Sequence, residues 1–436
     1  MKKGWQTKTI GDVCEVIAGQ SPEGKFYNAE GKGMPFYQGK KDFGEKSIEA
    51  PTAWTTQTTK IAKEGDILMS VRAPVGPVNF ATGEICIGRG LAAIRSSKDL
   101  NRDFLFYQLW HLQPDIAGRE GAVFASINKA EIEALPLAFA PLPEQQRIVD
   151  ILDEAFEGLV TATANAEKNL QNARALFQSV FYQSVIGETT KSWREAGCAR
   201  KAAADSDLKE LFRQIAATDR KPVRSEETAG PETITDALPK EWRHASIEQL
   251  FNLIDYRGKT ASKSDTGHRL ITARNIRMGF LSEEPVTFMS KEQYKKWMVR
   301  GFPKPGDIFF VTEGHTMGFV ALNTRTDEFA LAQRTITLQP PVPFSTKFFF
   351  YFMLSPHFQK LVKLNATGAA AVGMKASKFR SLPLAFPSFA EQEVIVGRLD
   401  ELAEETQRLA ALYQRKLAVL DELKKSLLHQ AFTGQL

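Results

Sequence analysis

Apolar side chains recur at steps of three or four residues in two long stretches of the chain, residues 141–187 and 388–436. A stripe this narrow, kept over many turns, is typical of an α-helix that packs along a second long helix. About 44 residues at about 1.5 Å each give a rod of about 65 Å. We therefore predict two long helices that pair as an antiparallel coiled coil. The residues expected along the seam are Ile148, Leu152, Leu159, Leu170 and Phe177 in the first stretch and Ile395, Leu399, Leu402, Leu409, Leu420 and Leu427 in the second.

The residues that flank each stretch suit helix ends. Pro143 fits the first turn of the first helix, where its missing N–H costs no hydrogen bond. Ser388 and Glu391 have the spacing of a capping box at the start of the second helix. Gly187 and Gly434 are placed to end the two helices, because glycine readily adopts the left-handed backbone of a helix stop.

The chain contains an internal repeat that places the two helices in corresponding positions. A shift of 247 aligns residues 135–187 with 382–434 without a gap and gives 19 identities in 53 positions. Further upstream, Gly65-Asp66-Ile67 corresponds to Gly306-Asp307-Ile308. Each half is therefore predicted to be one globular domain followed by one long helix.

The globular parts have a different pattern from the helices. Short apolar runs bounded by Gly and Pro predict strands, and aromatic-rich runs predict buried helices. The predicted fold class is α+β, with two similar domains separated by two long antiparallel helices and an approximate two-fold relation within one chain. The predicted segments are a first domain over 1–140, a first helix over 141–187, a polar connector over 188–237 with one short helix near 207–217, a second domain over 238–387 and a second helix over 388–436.

Charge is distributed unevenly between the two halves. Residues 238–381 contain 21 Lys and Arg against 11 Asp and Glu, a net charge of +10. Residues 1–140 contain 17 against 16, a net charge of +1. A basic surplus suits a polyanionic partner such as nucleic acid. On charge alone, a solvated lysine-rich surface explains the surplus equally well.

Sequence motifs that would indicate catalysis are missing. Residues 19–25 have the glycine and lysine spacing of a P-loop, but Phe26 stands where a hydroxyl should bind magnesium. The 6 histidines show no i, i+4 pairing and the 3 cysteines are widely spaced, so no metal site is predicted. No apolar run reaches the ~18 residues of a membrane span, and no signal-peptide pattern is present. We expect a cytoplasmic chain with no metal, cofactor or membrane contact of its own.

Several residue strings resemble a known family. Residues 65–72 (GDILMSVR) lead into residues 88–94 (GRGLAAI), and residues 141–149 (PLPEQQRIV) start the first long helix. The string AFTGQL follows at 431–436. Together with the doubled layout, these strings make the chain resemble the specificity subunit of type I DNA restriction–modification enzymes.

The resemblance implies a function that composition does not give. Each globular half would be a target-recognition domain that reads one half of a bipartite, asymmetric site in double-stranded DNA, and the paired helices would set the distance between the halves. The resemblance implies no catalytic activity for this subunit itself. Two methyltransferase subunits would dock on it and bring S-adenosylmethionine, and two motor–nuclease subunits would bring ATP and magnesium.

Residues for DNA contact are chosen from loops and strand ends beside the repeated glycine-containing elements. Arg and Lys suit phosphates, whereas Arg, Asn and Gln can also read base edges. A lone loop arginine is more often a solvated charge, and Arg89 and Arg334, which we match across the repeat, could instead form structural ion pairs. The candidates are Gln38, Lys40, Lys41, Arg72 and Arg89 in the first domain and Arg274, Asn275, Arg277, His315 and Arg334 in the second.

Two other function classes stay open on the sequence alone. One is a self-contained DNA methyltransferase or nuclease with divergent motifs, against which the missing motifs argue. The other is a coiled-coil assembly protein with no nucleic-acid role, against which the basic surplus argues mildly. Methylation or cleavage of DNA by the purified chain would identify the first class, and a salt-sensitive mobility shift would exclude the second.

Overall fold

The protein forms two compact units, each of which contains one globular domain and parts of both long helices. The first unit is Met1–Leu170 together with Ala411–Leu436, and the second is Gln171–Ala410. The predicted connector helix near 207–217 lies outside the described residues. The computed structural model describes residues 4–117, 126–197, 238–258, 260–340, 345–367 and 373–436.

The helices and strands are numbered among the described residues in chain order. The elements up to the end of the first long helix are β1 (Gln6–Thr9), α1 (Ile10–Val13), β2 (Cys14–Ala18), β3 (Tyr27–Asn28), β4 (Met34–Tyr37), β5 (Trp54–Thr55), β6 (Ile61–Ala62), β7 (Ile67–Ser70), β8 (Val78–Phe80), β9 (Ile85–Ile87), β10 (Leu91–Ser96), α2 (Arg102–Ala117), α3 (Lys129–Glu133), β11 (Pro136–Phe139) and α4 (Leu142–Val185). The elements that follow are α5 (Lys191–Glu195), β12 (Arg243–Ser246), α6 (Ile247–Leu250), β13 (Asn252–Asp255), β14 (His268–Ile271), β15 (Ile276–Arg277), β16 (Phe280–Leu281), β17 (Phe288–Met289), α7 (Lys291–Trp297), β18 (Ile308–Val311), β19 (Val320–Leu322), β20 (Phe329–Leu331), β21 (Thr335–Gln339), α8 (Thr346–Leu354), α9 (Pro356–Leu364), α10 (Ala376–Ser381), β22 (Pro383–Phe386) and α11 (Phe389–Thr433).

A four-stranded antiparallel sheet forms the centre of each domain. Its strand order is β2-β10-β7-β8 in the first domain and β13-β21-β18-β19 in the second. Both faces of the sheet are buried, because successive side chains point to opposite sides. In the second domain Ile308 and Phe310 belong to one core cluster, and Phe309 and Val311 belong to another.

A second sheet in each domain is built around one parallel strand pair. In the first domain β4 pairs with β9, with Tyr37 opposite Ile87. In the second domain β14 pairs with β20, with Ile271 opposite Leu331. The second domain also carries the hairpin of β15 and β16, which the first domain replaces by the single helical turn Lys40–Asp42.

The start and end of each domain are joined by a short strand pair. β1 pairs with β11 in the first domain, and β12 pairs with β22 in the second. The Ile10 N–H then donates to the Leu135 carbonyl at 3.0 Å, and the Ile247 N–H donates to the Leu382 carbonyl at 3.1 Å. The repeat deduced from the sequence is therefore confirmed at the level of single backbone hydrogen bonds.

The two long helices run antiparallel, as each unit shows separately. In the first unit Leu152 at the start of α4 shares a core with Phe432 at the end of α11. In the second unit Val185 at the end of α4 shares a core with Ile395 near the start of α11. Among the predicted seam residues, Ile148, Leu152, Ile395 and Leu399 are fully buried, and Leu159, Leu170, Phe177, Leu402, Leu409, Leu420 and Leu427 are half-buried.

At the start of α11, only one of the two hydrogen bonds of a capping box forms, and the Glu391 side chain has other partners. The Glu391 N–H donates to the Ser388 hydroxyl at 3.4 Å, as the spacing predicts. The Glu391 carboxylate, however, accepts from Arg194 of α5 at 2.5 Å and from the Thr190 hydroxyl at 2.6 Å. It thus connects the segment after the first long helix to the beginning of the second. Both side chains of the ion pair are largely buried, at 11% exposure for Arg194 and 3% for Glu391.

Candidate nucleic-acid interface

Three loops in each domain lie together at one end of the strands of the central sheet, and we call this region the loop edge. In the first domain it comprises residues 38–41 after β4, 71–76 after β7 and 88–90 before β10. In the second domain it comprises residues 272–275 after β14, 312–319 after β18 and 332–334 before β21. Nine of the ten candidate DNA-contacting residues lie in these six loops, and the tenth, Arg277, lies in the adjacent hairpin.

Backbone hydrogen bonds at equivalent positions hold the loops together in both domains. The Val71 N–H donates to the Gly90 carbonyl at 3.0 Å, and the Thr312 N–H donates to the Arg334 carbonyl at 3.1 Å. The third loop is attached in the same way. The Gly88 N–H donates to the Tyr37 carbonyl at 2.8 Å, and the Ala332 N–H donates to the Ile271 carbonyl at 2.8 Å. The loops of the two domains are therefore held by main-chain bonds at equivalent positions.

The candidates of the first domain are all exposed on the loop edge. The side chains concerned are those of Gln38, Lys40, Lys41, Arg72 and Arg89. Lys41 is partly engaged, since its ammonium donates to the Thr52 hydroxyl at 3.1 Å. The backbone N–H of Arg89 donates to the Ser21 hydroxyl at 3.2 Å, which ties the third loop to the segment after β2. Lys40, Arg72 and Arg89 make no ion pair with any described residue, so their charges are available to an anionic partner.

The second domain exposes four of its five candidates. Arg274, Arg277, His315 and Arg334 are exposed. Arg334 forms an ion pair with Glu313 at 3.2 Å, and the two side chains are 58% and 49% exposed. An ion pair this open contributes little to stability and can exchange for a phosphate at low cost.

Asn275, the fifth candidate, is buried and has a structural role in this fold. Its Oδ1 accepts from the Thr272 N–H at 3.0 Å and from the Thr272 hydroxyl at 2.9 Å. Its Nδ2 donates to the Ser282 carbonyl at 3.1 Å and to the Pro285 carbonyl at 3.0 Å. An amide with all these bonds satisfied could reach a base only if the loop opened. Asn275 therefore positions Arg274 and Arg277 rather than presenting its own side chain.

The structure corrects the matching of Arg89 with Arg334. Equivalent backbone bonds place Arg334 opposite Gly90, and Arg89 lies one residue earlier. A Cβ at Gly90 would lie 2.2 Å from the Gln38 carbonyl oxygen, so no side chain fits there in the first domain. The first domain thus carries its arginine on the neighbouring position, and the two domains present different cation patterns on the same frame.

Two arginines at the second domain's loop edge were not selected from the sequence. Arg257 follows the end of β13 and bonds the Asp255 carboxylate at 2.7 Å. The Arg300 guanidinium donates to the Asp255 carbonyl at 2.7 Å, and the residue is exposed. Burial by itself would raise the pKa of Asp255, but the hydrogen bonds from Arg257 outweigh it, so the pKa lies below its ordinary value. Neither arginine adjoins a repeated glycine element, and for this reason neither could be selected as a candidate from the sequence.

The aspartate of the repeated Gly-Asp-Ile element is structural in both domains. Asp66 accepts two hydrogen bonds from the Arg95 guanidinium, at 2.9 and 2.8 Å. Asp307 accepts from the Gln339 amide at 2.7 Å and from the Lys304 N–H at 2.7 Å. Burial raises the pKa of Asp307 above its ordinary value, although these two bonds oppose the shift. The element therefore anchors the sheet at the end away from the loop edge.

Two general features of the described residues complete the description of the site. Across the described ranges, no three His, Cys, Asp or Glu side chains come together as they would around a metal ion. No helix within those ranges combines the length and apolar character needed to span a bilayer.

Comparison with known proteins identifies the family. Residues 2–171 and 239–414 match the model of the type I restriction modification DNA specificity domain. The chain therefore belongs to the family of type I restriction–modification DNA specificity subunits. Members of this family are the non-catalytic DNA-recognition subunits of type I systems. The two matched ranges are the two repeated halves, so the family's domain occurs twice in this chain.

Relatives with curated names carry the same designation. The chain is 38% identical over 174 residues to the Methanocaldococcus jannaschii protein named as the MjaX specificity subunit of a type I restriction enzyme. This alignment covers 39% of this chain and 40% of that relative. It is 20% identical over 456 residues to the MjaIX specificity subunit of the same organism, covering 100% of this chain and 94% of the relative. The chain thus spans less than half of the first relative and nearly all of the second.

Solved structures show the same fold. The HsdS subunit from Thermoanaerobacter tengcongensis matches with a TM-score of 0.59 at 14% identity, covering 100% of this chain and 98% of that one. A chain from a study of complex assembly and conformational transition of the type I R-M system matches with a TM-score of 0.70 at 15% identity, covering 100% and 99%. The predicted fold class, α+β with two repeated domains and two long helices, is confirmed.

Proposed function

We propose that this chain reads a bipartite, asymmetric site in double-stranded DNA, with one half-site read by the loop edge of each domain. The observation that carries the proposal is the repeated loop edge, where equivalent main-chain bonds present exposed cations in both domains. Lys and Arg there would bind phosphates and fix the register, and Gln38, Arg274 and the other exposed polar side chains would read base edges. Because the side chains differ between the domains, the two half-sites differ in sequence.

The long helices would act as spacer and scaffold. Their outward faces carry exposed apolar side chains, among them Leu176 on α4 and Leu412 and Val419 on α11. Apolar positions outside the seam are suited to helices of other subunits, which could complete a bundle there. We propose that two methyltransferase subunits dock in this way, and that two motor–nuclease subunits join the assembly.

Cofactors would reside on the partner subunits in this assembly. The methyltransferase subunits would bind S-adenosylmethionine and methylate adenine, and the motor–nuclease subunits would use ATP and magnesium. This chain would contribute the choice of DNA site and the geometry that places the partners.

The test combines methylation mapping with DNA binding. The chain is expressed with its methyltransferase partner, and methylated adenines are mapped across the host genome. We expect a two-part site with a gap of constant length and unlike half-sites, and a mobility shift on this site that weakens steeply with salt. A single continuous target, or no methylation that depends on this chain, would contradict the proposal.

The alternative, a self-contained methyltransferase or nuclease, is separated by a second experiment. The purified chain alone is incubated with target DNA, magnesium and S-adenosylmethionine. We expect neither methylation nor cleavage until the methyltransferase subunits are added. Activity of the chain alone would establish the alternative.

A further inference from the structure

The hairpin of β15 and β16 in the second domain presents apolar side chains to solvent. Phe280 is 60% exposed, and Met278 beside the turn is 41% exposed. Arg277 next to them and Arg274 just before the hairpin are exposed as well. Large exposed apolar side chains set among cations form a surface that favours contact with another molecule.

The hairpin is rigidly attached to the loop edge. The buried Asn275 amide bonds the carbonyls of Ser282 and Pro285 beyond the hairpin, and the Ser282 N–H donates back to the Asn275 carbonyl at 2.7 Å. At the turn, the Gly279 N–H donates to the Val320 carbonyl at 2.8 Å, and Val320 is the first residue of β19. The tip is therefore pre-organised, so that little conformational entropy is lost when a partner covers it.

The charges beside the hairpin indicate what covers it. Arg274 and Arg277 make no ion pair with any described residue, and they belong to the part of the chain with a net charge of +10. Duplex DNA supplies hydrogen-bond acceptors for both guanidinium groups, on phosphates and base edges, and apolar base faces for the tip. Apolar side chains that enter between base pairs, held by flanking arginines, are a known way of opening a base step.

The first domain differs at the equivalent position. The loop after β4 turns through residues Lys40–Asp42, where Asp42 is buried and Phe43 is half-buried. An apolar tip of this kind is thus a property of the second domain, and its effect on DNA should be confined to one half-site.

We propose that Phe280 and Met278 form a wedge that enters a groove of the DNA and separates one base step in the half-site read by the second domain. Arg277 holds a phosphate beside that step, and Arg274 keeps its proposed contact with a base edge. The deformability of that step then contributes to specificity, because a step that unstacks readily costs less to open. This inference rests on the proposed function and adds a mode of recognition to it.

The experiment uses the full chain assembled with its methyltransferase subunits and a duplex carrying the mapped target. 2-Aminopurine is placed at successive positions of each half-site, leaving out the methylated adenines. We expect a fluorescence increase at one step of one half-site in the native complex. Phe280→Ala should abolish this increase and weaken binding about tenfold or more, since the contact area of a buried aromatic side chain is lost.

A matched control is available in the same domain. Phe302 is 56% exposed, and its carbonyl accepts from Gln339 at the end of the sheet away from the loop edge. Phe302→Ala should leave both the fluorescence and the affinity unchanged. Phe280→Leu, which keeps an apolar side chain, should retain much of the signal.

Each other outcome is decisive. Sequence-specific binding by the native complex with no unstacking at any step would overturn the wedge and leave the proposed function intact. Absence of any DNA binding by the native complex would overturn the proposed function itself. If Phe280→Ala instead releases the methyltransferase subunits during gel filtration, the hairpin is a protein contact and the wedge is wrong.

Discussion

The hydroxyl of Tyr351 donates a hydrogen bond of 2.5 Å to the Asp400 carboxylate, which joins α8 of the second domain to the long helix α11. The first domain repeats the arrangement with Tyr107 of α2 and Asp153 of α4. A lysine also bonds each aspartate, but it comes from a different place: Lys347 lies on α8 itself, and Lys46 lies on a loop of the first domain. Each domain is therefore attached to a long helix by the same tyrosine–aspartate hydrogen bond, and the lysine beside it comes from a different part of each domain.

Tyr351→Phe should lower the free energy of unfolding by about 1 kcal/mol, because it removes a hydrogen bond to a carboxylate that is only partly solvated. The measurement is the urea midpoint of the full chain. Tyr413→Phe on α11 is the matched control, since the Tyr413 hydroxyl makes no hydrogen bond to a described residue. Equal effects of the two substitutions would show that the bond to Asp400 contributes nothing.

Stability should fall on mild acidification because of His111. Burial, and then the neighbouring His429, lower the pKa of His111 below its ordinary value of 6.5, while Asp115 opposes the shift. A histidine with a lowered pKa in the folded state takes up its proton more readily when the chain is unfolded. The stabilisation is therefore complete above pH 6.5 and is lost as the pH falls through the lower folded value. The measurement is the urea midpoint of the native chain and of His111→Gln between pH 7.5 and pH 5. The difference between the two midpoints should shrink as the pH falls, and a difference that stays constant would contradict this.

Arg194→Met should be strongly destabilising. It leaves the Glu391 carboxylate buried without its cation, a change that typically costs about 3–5 kcal/mol. Arg408→Met, which breaks the exposed pair with Glu405 on α11, should have no measurable effect. The comparison of thermal midpoints checks both expectations. A small effect of Arg194→Met would mean that water replaces the guanidinium beside Glu391.

Arg274→Ala should relax recognition of one half-site only, with a loss of discrimination of about 1–3 kcal/mol at one base pair if Arg274 reads a base. Lys40→Ala, at the corresponding loop of the first domain, should affect the other half-site. Methylation maps of the two variants give the answer directly. An equal loss on all sequences would make either residue a phosphate contact.

Deleting seven residues from each long helix should shorten the tolerated gap between the half-sites. Seven residues correspond to about 10 Å of helix, or about three base pairs of DNA. The half-site sequences themselves should stay unchanged in the methylation map. A changed half-site would show that the helices do more than set a distance.

The repeated framework could be predicted from the sequence because its signals are local. Three signals are each formed by residues that are close together in the chain. They are the apolar periodicity of the long helices, the Gly-Asp-Ile element and the aromatic runs. Buried helices such as α2 and α8 then follow from composition alone. Repetition added further weight, since the same signals occur twice in the same order.

The details of the loop edge could not be predicted, because they depend on groups far apart in the chain. From the sequence, Asn275 is a plausible base-reading residue. In the structure its amide group instead donates hydrogen bonds to the carbonyls of Ser282 and Pro285. Gly90 differs from an ordinary turn glycine only because the Gln38 carbonyl approaches it closely. The same approach explains why Arg89 and Arg334 are not equivalent. Arg300 reaches the loop edge through a contact with Asp255, 45 residues earlier in the chain.

The main-chain bonds that hold Gly90 and Arg334 in equivalent places have a consequence for how such proteins change over generations. Because carbonyl and amide groups make the frame, exchanging the surface residues on it leaves folding nearly unaffected. If these loops read DNA as proposed, a lineage would acquire a new target through a few substitutions in them, without a matching change in the partner enzymes.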